Sequence, residues 1–370
     1  MSVAAPPSTP LIDSIRSRRI RITQLVAVGA LVLFLAGAPS VVDSFTLAQI
    51  LTKALWLGIA AASLIFLSSY GGMISLGQTG IYAVAGFTMA NLVHAAGGKH
   101  LGWDPLAATA VGIVVATAFG LLCGAIAARS YGIYFLMITL AISVIVFYFF
   151  AQVTVLSGYG GIRSVTMPAV IGNPITDPIP LYYTALLASV LVYVGIRYLA
   201  RTPFGLALQG IRDDPARMQA LGYNVPLHRA LAFGVGAFIA SIAGILSVWY
   251  TTQISPGGIN VAQTINILVI AVIGGLYRLE GAWIGAIVFS TIDNYSRVWM
   301  PNVGDWLGPD RFETVIGVIF LVIVLASPGG LVGIWEGLWG RRRRRRSPEE
   351  SSGIPTKGAV DDAVDHPAAV

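Results

Sequence analysis

Seven stretches of this chain contain no Asp, Glu, Lys or Arg: 22–42, 54–98, 105–128, 130–162, 178–196, 230–277 and 314–335. They decide the fold class. A hydrocarbon core of about 30 Å is crossed by roughly 20 consecutive, mostly apolar helical residues, because no backbone polar group can be left unpaired there. Five runs have the length of one span. The other two are 45 and 48 residues long and are broken by turn formers: Gly71, Gly72, Gly77 and Gly80 in the first, Ser255-Pro256-Gly257-Gly258 in the second. Each of these holds two spans. A helix over 282–299, which carries Asp293, brings the expectation to about ten: 22–40, 48–69, 80–97, 105–128, 131–156, 181–200, 230–250, 259–276, 282–299 and 312–327. The segment 259–276 can also be read as re-entrant or broken. The fold class is therefore all-α, a polytopic transmembrane helical bundle. With 56% hydrophobic and 11% charged residues, against about 25% charged in soluble domains, a soluble fold and bulk disorder are both excluded. The single cysteine, Cys123, lies in an apolar run and rules out a disulfide framework or a thiolate metal centre.

An even number of spans puts both termini on one side, and basic residues choose the side. With the N-terminus in the cytoplasm, Arg16, Arg18, Arg19, Arg21, Arg129, Arg197, Arg201, Arg212, Arg217, Arg229, Arg278, Arg341 to Arg346 and Lys357 lie inside, 18 of the 23. Lys53, Lys99, Arg163, Arg297 and Arg311 lie outside. The expected location is the bacterial plasma membrane. The first span, with Ala36-Gly37-Ala38 after an apolar stretch, imitates a secretory signal, but Pro39 suits cleavage poorly. Residues 1–21 form a cytoplasmic leader, 22–335 the membrane domain, 201–229 a cytoplasmic loop within it, and 336–370 a basic anchor and disordered tail. The arginine run 341–346 suits anionic headgroups, at about 1 kcal/mol per basic residue, rather than nucleic acid.

Catalytic constellations are missing from the sequence. His94, His100, His228 and His366 are scattered without HExxH spacing, and neither a GxSxG elbow nor a GxxxxGK[ST] phosphate loop occurs. No metal site or catalytic residue is expected. If nucleotide hydrolysis drives this protein, another chain performs it. Ser157-Gly158-Tyr159-Gly160 imitates a carbonyl-lined ion filter, but it falls in an outward loop and reads as a Gly-rich turn.

The loop 201–229 is the most informative stretch. Asp214 suits an N-cap, Pro215 the first helical position and Gly222 a left-handed C′ residue. A helix of about two turns over 215–221 follows, with Met218 and Leu221 on one face and Arg212, Asp213 and Arg217 remaining polar. Such a helix is either surface decoration or a rigid knob for a cytoplasmic partner.

That loop, RTPFGLALQGIRDDPARMQALGYN, is followed by LAFGVGAFIASIAGIL, ISPGGIN, ILVIAVIGGL, GAWIGA and SPGGLVGI, and preceded by GGMISLGQTGIYAVAGF and GIYFLMITLAISVIVFYF. In this order, over about residues 48–335, the chain resembles permease subunits of branched-chain amino acid ABC importers of the LivM type. The resemblance implies a non-enzymatic subunit paired with a second, homologous permease subunit. Two ATPase subunits would carry the ATP and Mg, leaving no cofactor on this chain, and an extracytoplasmic binding protein would deliver leucine, isoleucine or valine. It also implies that residues 207–224 couple to an ATPase subunit, with Ala220 and Gly222 matching the family's Ala and Gly. The family often has a carboxylate near this Ala. Here Met218 and Gln219 stand there, so a specific acidic contact is not implied.

A zwitterion with an aliphatic side chain needs apolar walls and sparse polar groups. Gln78, Thr79, Asn91, Gln263, Asn266, Asp293 and Asn294 are the polar residues in or beside spans, and an intramembrane ionisable group is a functional candidate. The plainer reading of Asp293 is an i, i+4 pair with Arg297. Gln263 and Asn266 can equally be interhelical glue, and the GxxxG pairs Gly120/Gly124 and Gly281/Gly285 suit close packing within or between subunits. Gly-Gly pairs at 71–72 and 274–275 hint at an internal repeat. A urea or short-chain amide permease shares the loop pattern, and an ion-coupled secondary transporter is the competing class.

Overall fold

The computed structural model describes residues 35–299, apart from 41, 100 and 175, together with Gly317; the side chains at 296–299 are outside that set. The spans expected at 22–40 and 312–327, the leader 1–21 and the tail 336–370 lie wholly or largely outside the described residues. In chain order the main helices are α1 (Ser44–Gly71), α2 (Gln78–Leu92), α3 (Pro105–Ala127), α4 (Gly132–Gln152), α5 (Ile179–Leu199), α6 (Pro203–Asp213), α7 (Pro215–Ala220), α8 (Val225–Thr251), α9 (Val261–Gly274) and α10 (Gly281–Trp299). Among the described residues, α1, α3, α4, α5, α8 and α9 with its leading 3₁₀ turn are long and apolar enough to cross a bilayer.

α1 and α8 are buried almost all round, and α2 packs between them and α3. Most buried positions of these helices are apolar or small, Gln78, Asn91 and Arg229 being exceptions, so one amphipathic stripe would not suffice. The outer helices differ. α3 turns Ala108, Gly112, Ala116, Gly120 and Ala127 inward at a spacing near four, while Val114, Leu122 and Ile126 face out. Exposed apolar faces on α3, α4 and α5 match hydrocarbon rather than water.

Glycines set the closest approaches. A Cβ on Gly120 would sit 2.1 Å from the Ala237 Cβ, and one on Gly124 2.8 Å from the Phe233 Cβ, so this pair seats α3 against α8 of the same chain. A Cβ on Gly285 would lie 2.1 Å from the Ile270 carbonyl oxygen, so the second pair closes the α9–α10 hairpin. Gly72 (φ 63°) ends α1 in the left-handed conformation, with Met73 N–H donating to Leu67 O at 3.0 Å and Gly72 N–H to Ser68 O at 3.2 Å. Gly275 (φ 117°) follows α9.

The connections gather at two ends. At one, Arg229 donates to Ala128 O at 2.8 Å, Ser69 Oγ donates to Tyr277 O at 3.1 Å, and Arg197 meets Glu280 at 2.6 Å. At the other, Ala96 and Arg163, then Ile162 and Ile254, exchange backbone hydrogen bonds of 2.7 and 2.8 Å as two isolated antiparallel bridges. The Ser157–Gly160 segment is a turn just beyond α4, with Gly158 at φ 61° and Tyr159 exposed.

Three elements depart from the sequence expectation. α2 covers 15 residues, roughly 22 Å of helix at 1.5 Å per residue, short of the span expected over 80–97. Residues 72–77 are non-helical, where the glycines break the run, yet Ser75, Leu76 and Gly77 are buried. α8 starts at Val225 rather than 230, because Asn224 caps it: Leu227 N–H donates to its Oδ1 at 3.1 Å. Before α9, Pro256–Ile259 forms a 3₁₀ turn, and Asn260 then accepts from Gln263 N–H at 3.0 Å.

Candidate functional site

Residues 202–224 fold as two short helices in series, each started by the same chemistry. Thr202 accepts from Gly205 N–H at 3.3 Å with Pro203 at the first position of α6, and Asp214 accepts from Arg217 N–H at 3.0 Å with Pro215 opening α7. An oxygen cap contributes about 1 kcal/mol, and proline loses nothing where no helical N–H is required. Gly222 (φ 90°) turns the chain out, with its N–H donating to Gln219 O at 3.0 Å and Tyr223 N–H to Met218 O at 3.1 Å.

The two helices have opposite characters. α6 buries Leu208 and Ile211 against the end of α1, and Arg212 donates from Nη1 to Ser69 O while its stem covers Gly72. α7 buries no residue at all. Met218 alone turns inward, where a Cβ on Gly210 would come 2.8 Å from its sulfur. Leu221 is 65% exposed, so Met218 and Leu221 do not share a face as the spacing suggested; Leu221 is the capping residue beyond the last turn. Asp213 pairs with Arg212 at 2.8 Å. The result is a braced base with an exposed, capped knob at Ala216, Gln219, Ala220 and Leu221.

The intramembrane candidates separate by their partners. Asn91 is structural: its amide donates to Phe87 O at 2.8 Å and its Oδ1 accepts from Lys99 N–H at 3.0 Å, tying the end of α2 to the following loop. Asp293 is buried, and its carboxylate is bonded by Lys53 of α1. The expected i, i+4 partner Arg297 has its side chain outside the described residues. Lys53, 240 positions away in sequence, reaches Asp293 because α10 packs along α1. Gln263, Asn266 and Asn294 are half-buried on α9 and α10. Asn260, which the sequence did not single out, lines a cavity of about 250 Å³ with Ser143, Phe147, Tyr148 and Val261.

Gln78 and Thr79 stand apart from these. Both are almost completely buried in the first turn of α2. Neither Oε1 nor Nε2 of Gln78 has a hydrogen-bond partner. The amide lies against Leu67 of α1 in the notch left by Gly236 of α8, where a Cβ would be 3.6 Å from Nε2. Each unpaired buried polar group costs about 1–3 kcal/mol. Among the described residues no group of three or more His, Cys, Asp or Glu side chains is arranged to hold a metal ion.

Comparison with known proteins bears on the whole assembly. A family model described as "Branched-chain amino acid transport system / permease component" matches residues 46–325. The high-affinity branched-chain amino acid transport system permease protein LivM of Salmonella typhimurium is 26% identical over 285 residues, covering 70% of this chain and 64% of the relative. LivH of Escherichia coli is 26% identical over 278 residues, covering 71% of this chain and 86% of the relative. A probable LivM of Methanocaldococcus jannaschii is 26% identical over 232 residues, covering 61% and 66%. The chain thus spans a little under two thirds of the LivM relatives it matches. No solved structure matches.

Proposed function

The chain belongs to the family of permease components of branched-chain amino acid transport systems, and from that premise we propose that it is the membrane-spanning subunit of an ATP-driven importer of leucine, isoleucine, valine or related hydrophobic amino acids. In this reading it works beside a second, homologous permease subunit, two ATPase subunits that hold ATP and Mg, and an extracytoplasmic binding protein. The chain supplies the pathway and the mechanical coupling, and catalyses no reaction.

The exposed, capped knob of α7 on its braced base carries this reading. A helix that buries none of its own residues is stabilised by its caps and by contacts with α6 and α8, which leaves its outer face free to seat in a partner. The end that bears it also gathers Arg129, Arg197, Arg201, Arg212, Arg217, Arg229 and Arg278, which suits the cytoplasm, where an ATPase subunit works. At the other end stand Lys53, Lys99 and Arg163. Asp293 is the one buried carboxylate among the described residues, and its pairing with Lys53 favours ATP coupling over an ion-coupled carrier.

Uptake of labelled leucine and labelled urea by cells lacking only this chain, compared with cells carrying it back, tests the substrate. Loss of leucine uptake alone is expected. Loss of urea uptake alone would replace the substrate by a short amide. Leucine uptake that survives ATP depletion but collapses with an ionophore would replace the importer by a carrier.

A further inference from the structure

Where α1 meets α2 the chain leaves the helix inside the bundle. Residues 72–77 are non-helical, and Ser75 through Gly80 are all buried. Non-helical backbone at membrane depth persists only when it is enclosed by protein or lines an aqueous cavity. The depth follows from α4: a Cβ on Gly77 would be 3.3 Å from the Thr139 Cβ, and one on Gly80 3.0 Å from the Ser143 Cα. Thr139 and Ser143 are the eighth and twelfth residues of α4, so the break lies roughly 11–17 Å from the start of that helix, around the middle of the hydrocarbon. α2 therefore begins near the midplane.

The start of α2 is electrically open. No side chain caps it, so the N–H groups of its first turn point toward the break with the positive end of the helix dipole. The unpartnered Gln78 amide lies in the same turn beside the Gly236 notch, while Ser75 Oγ accepts from Gly77 N–H and Thr139 Oγ1 from Leu76 N–H, both at 3.1 Å, and the buried Ser143 lies against Gly80. Leu67, Leu76 and Ile81 supply apolar walls. The cations that touch this stretch, Arg212 at Gly72 and Arg229 at Met73, meet its far end from Gln78, so an anion at the start of α2 would be held by neutral dipoles and released readily, as passage requires.

We propose that the first turn of α2, with the Gln78 amide N–H and the uncapped backbone N–H groups as donors, holds the carboxylate of the amino acid as it crosses the membrane. This rests on the importer reading and adds the binding step to it. The site is closed in this structure. α4 covers it and has the smallest buried share of the six span-forming helices, so α4 is the wall that gives way.

The test is ATP-driven leucine uptake into liposomes holding the complete transporter, with wild type, Gln78→Met and Gln78→Glu compared and assembly followed by thermal unfolding. Met keeps the length of the side chain and removes the orphaned amide. Gln78→Met is expected to assemble with an unfolding midpoint equal to or above wild type, yet to lose uptake at least tenfold. Gln78→Glu is expected to lose more, because a carboxylate repels the substrate's own. Wild-type uptake in an assembled Gln78→Met complex, or undiminished uptake in Gln78→Glu, overturns the site while leaving the importer reading intact. A wild-type complex that moves no amino acid overturns the importer reading and the site with it.

Discussion

At the scale of single residues, the Lys53–Asp293 pair shows how a membrane protein handles a charge it cannot solvate. The Lys53 side chain is 25% exposed and that of Asp293 8%, which places the pair between the two known extremes. Exposed pairs contribute at most about 1 kcal/mol, and stripping one partner from a fully buried pair costs about 3–5 kcal/mol. Asp293→Asn or Lys53→Met alone is therefore expected to lower stability by about 1–3 kcal/mol. The double replacement Lys53→Met with Asp293→Leu should recover most of that loss, because no unpaired charge is left. A double-mutant cycle on the unfolding midpoint measures this. Uptake measured on the double variant separates the roles: retained transport makes Asp293 a fastener between α10 and α1, whereas abolished transport in a stable protein restores it to the pathway. The partner was not legible in the sequence, since a helix pattern displays neighbours at i+4 and not a cation on another helix. Gln78 was legible as a polar residue beside a span, but its lack of any partner is a property of the packing of Leu67 and Gly236 around it.

At the scale of elements, α7 was read correctly because its signals are local. Asp214, Pro215 and Gly222 act through their own backbone, and each is found in the geometry its chemistry demands. The same Thr-Pro signature starts α6, yet Thr202-Pro203 was passed over because the whole segment read as a charged loop. α2 was misplaced for the opposite reason. Apolar composition reports burial, and the charge-free run continues to residue 98 although the helix ends at Leu92 and Gly97 and Gly98 take positive φ, so the expected span 80–97 ran past its end. Substitutions in the knob follow from these angles. Proline requires φ near −65°, but Asp214 has φ −150° and its N–H donates to Gly210 O at 2.9 Å. Gly222 stands at φ 90°, where only glycine is comfortable. Asp214→Pro and Gly222→Pro are both expected to leave the chain inserted in the membrane and to cut ATP-driven uptake at least tenfold. Immunoblotting of membranes alongside an uptake assay checks this, and normal uptake in both variants would reduce α7 to surface decoration. The packing glycines carry the reverse expectation. Gly120→Val places atoms inside the Ala237 side chain and is expected to cost several kcal/mol, read as loss of folded chain from detergent extracts.

At the scale of the whole molecule, the contacts describe a path for force. In the proposed assembly a partner seated on α7 would press Met218 against Gly210, and α6 would pass the displacement to α1 through its contacts, Leu208 at Gly71 and Arg212 at Ser69 and Gly72. Gly72 opens the non-helical stretch that ends at Gln78. The knob, the brace and the proposed carboxylate site are thus consecutive contacts, with five residues of chain between Gly72 and Gln78. A continuous path of this kind makes two failures separable. Arg212→Met keeps the stem that covers Gly72 and removes the bond to Ser69 O. It leaves α7 and its caps untouched, so ATPase subunits should still co-purify with the chain at wild-type yield while uptake falls several-fold. Gly222→Pro deforms the knob, so co-purification and uptake should fall together. Quantifying co-purified ATPase in the two variants therefore distinguishes a broken brace from a broken seat. Equal loss of ATPase in both would mean that Arg212 belongs to the docking surface and that force reaches α1 by another route, for which the Glu280 contact with Arg197 and Tyr193 is the next candidate.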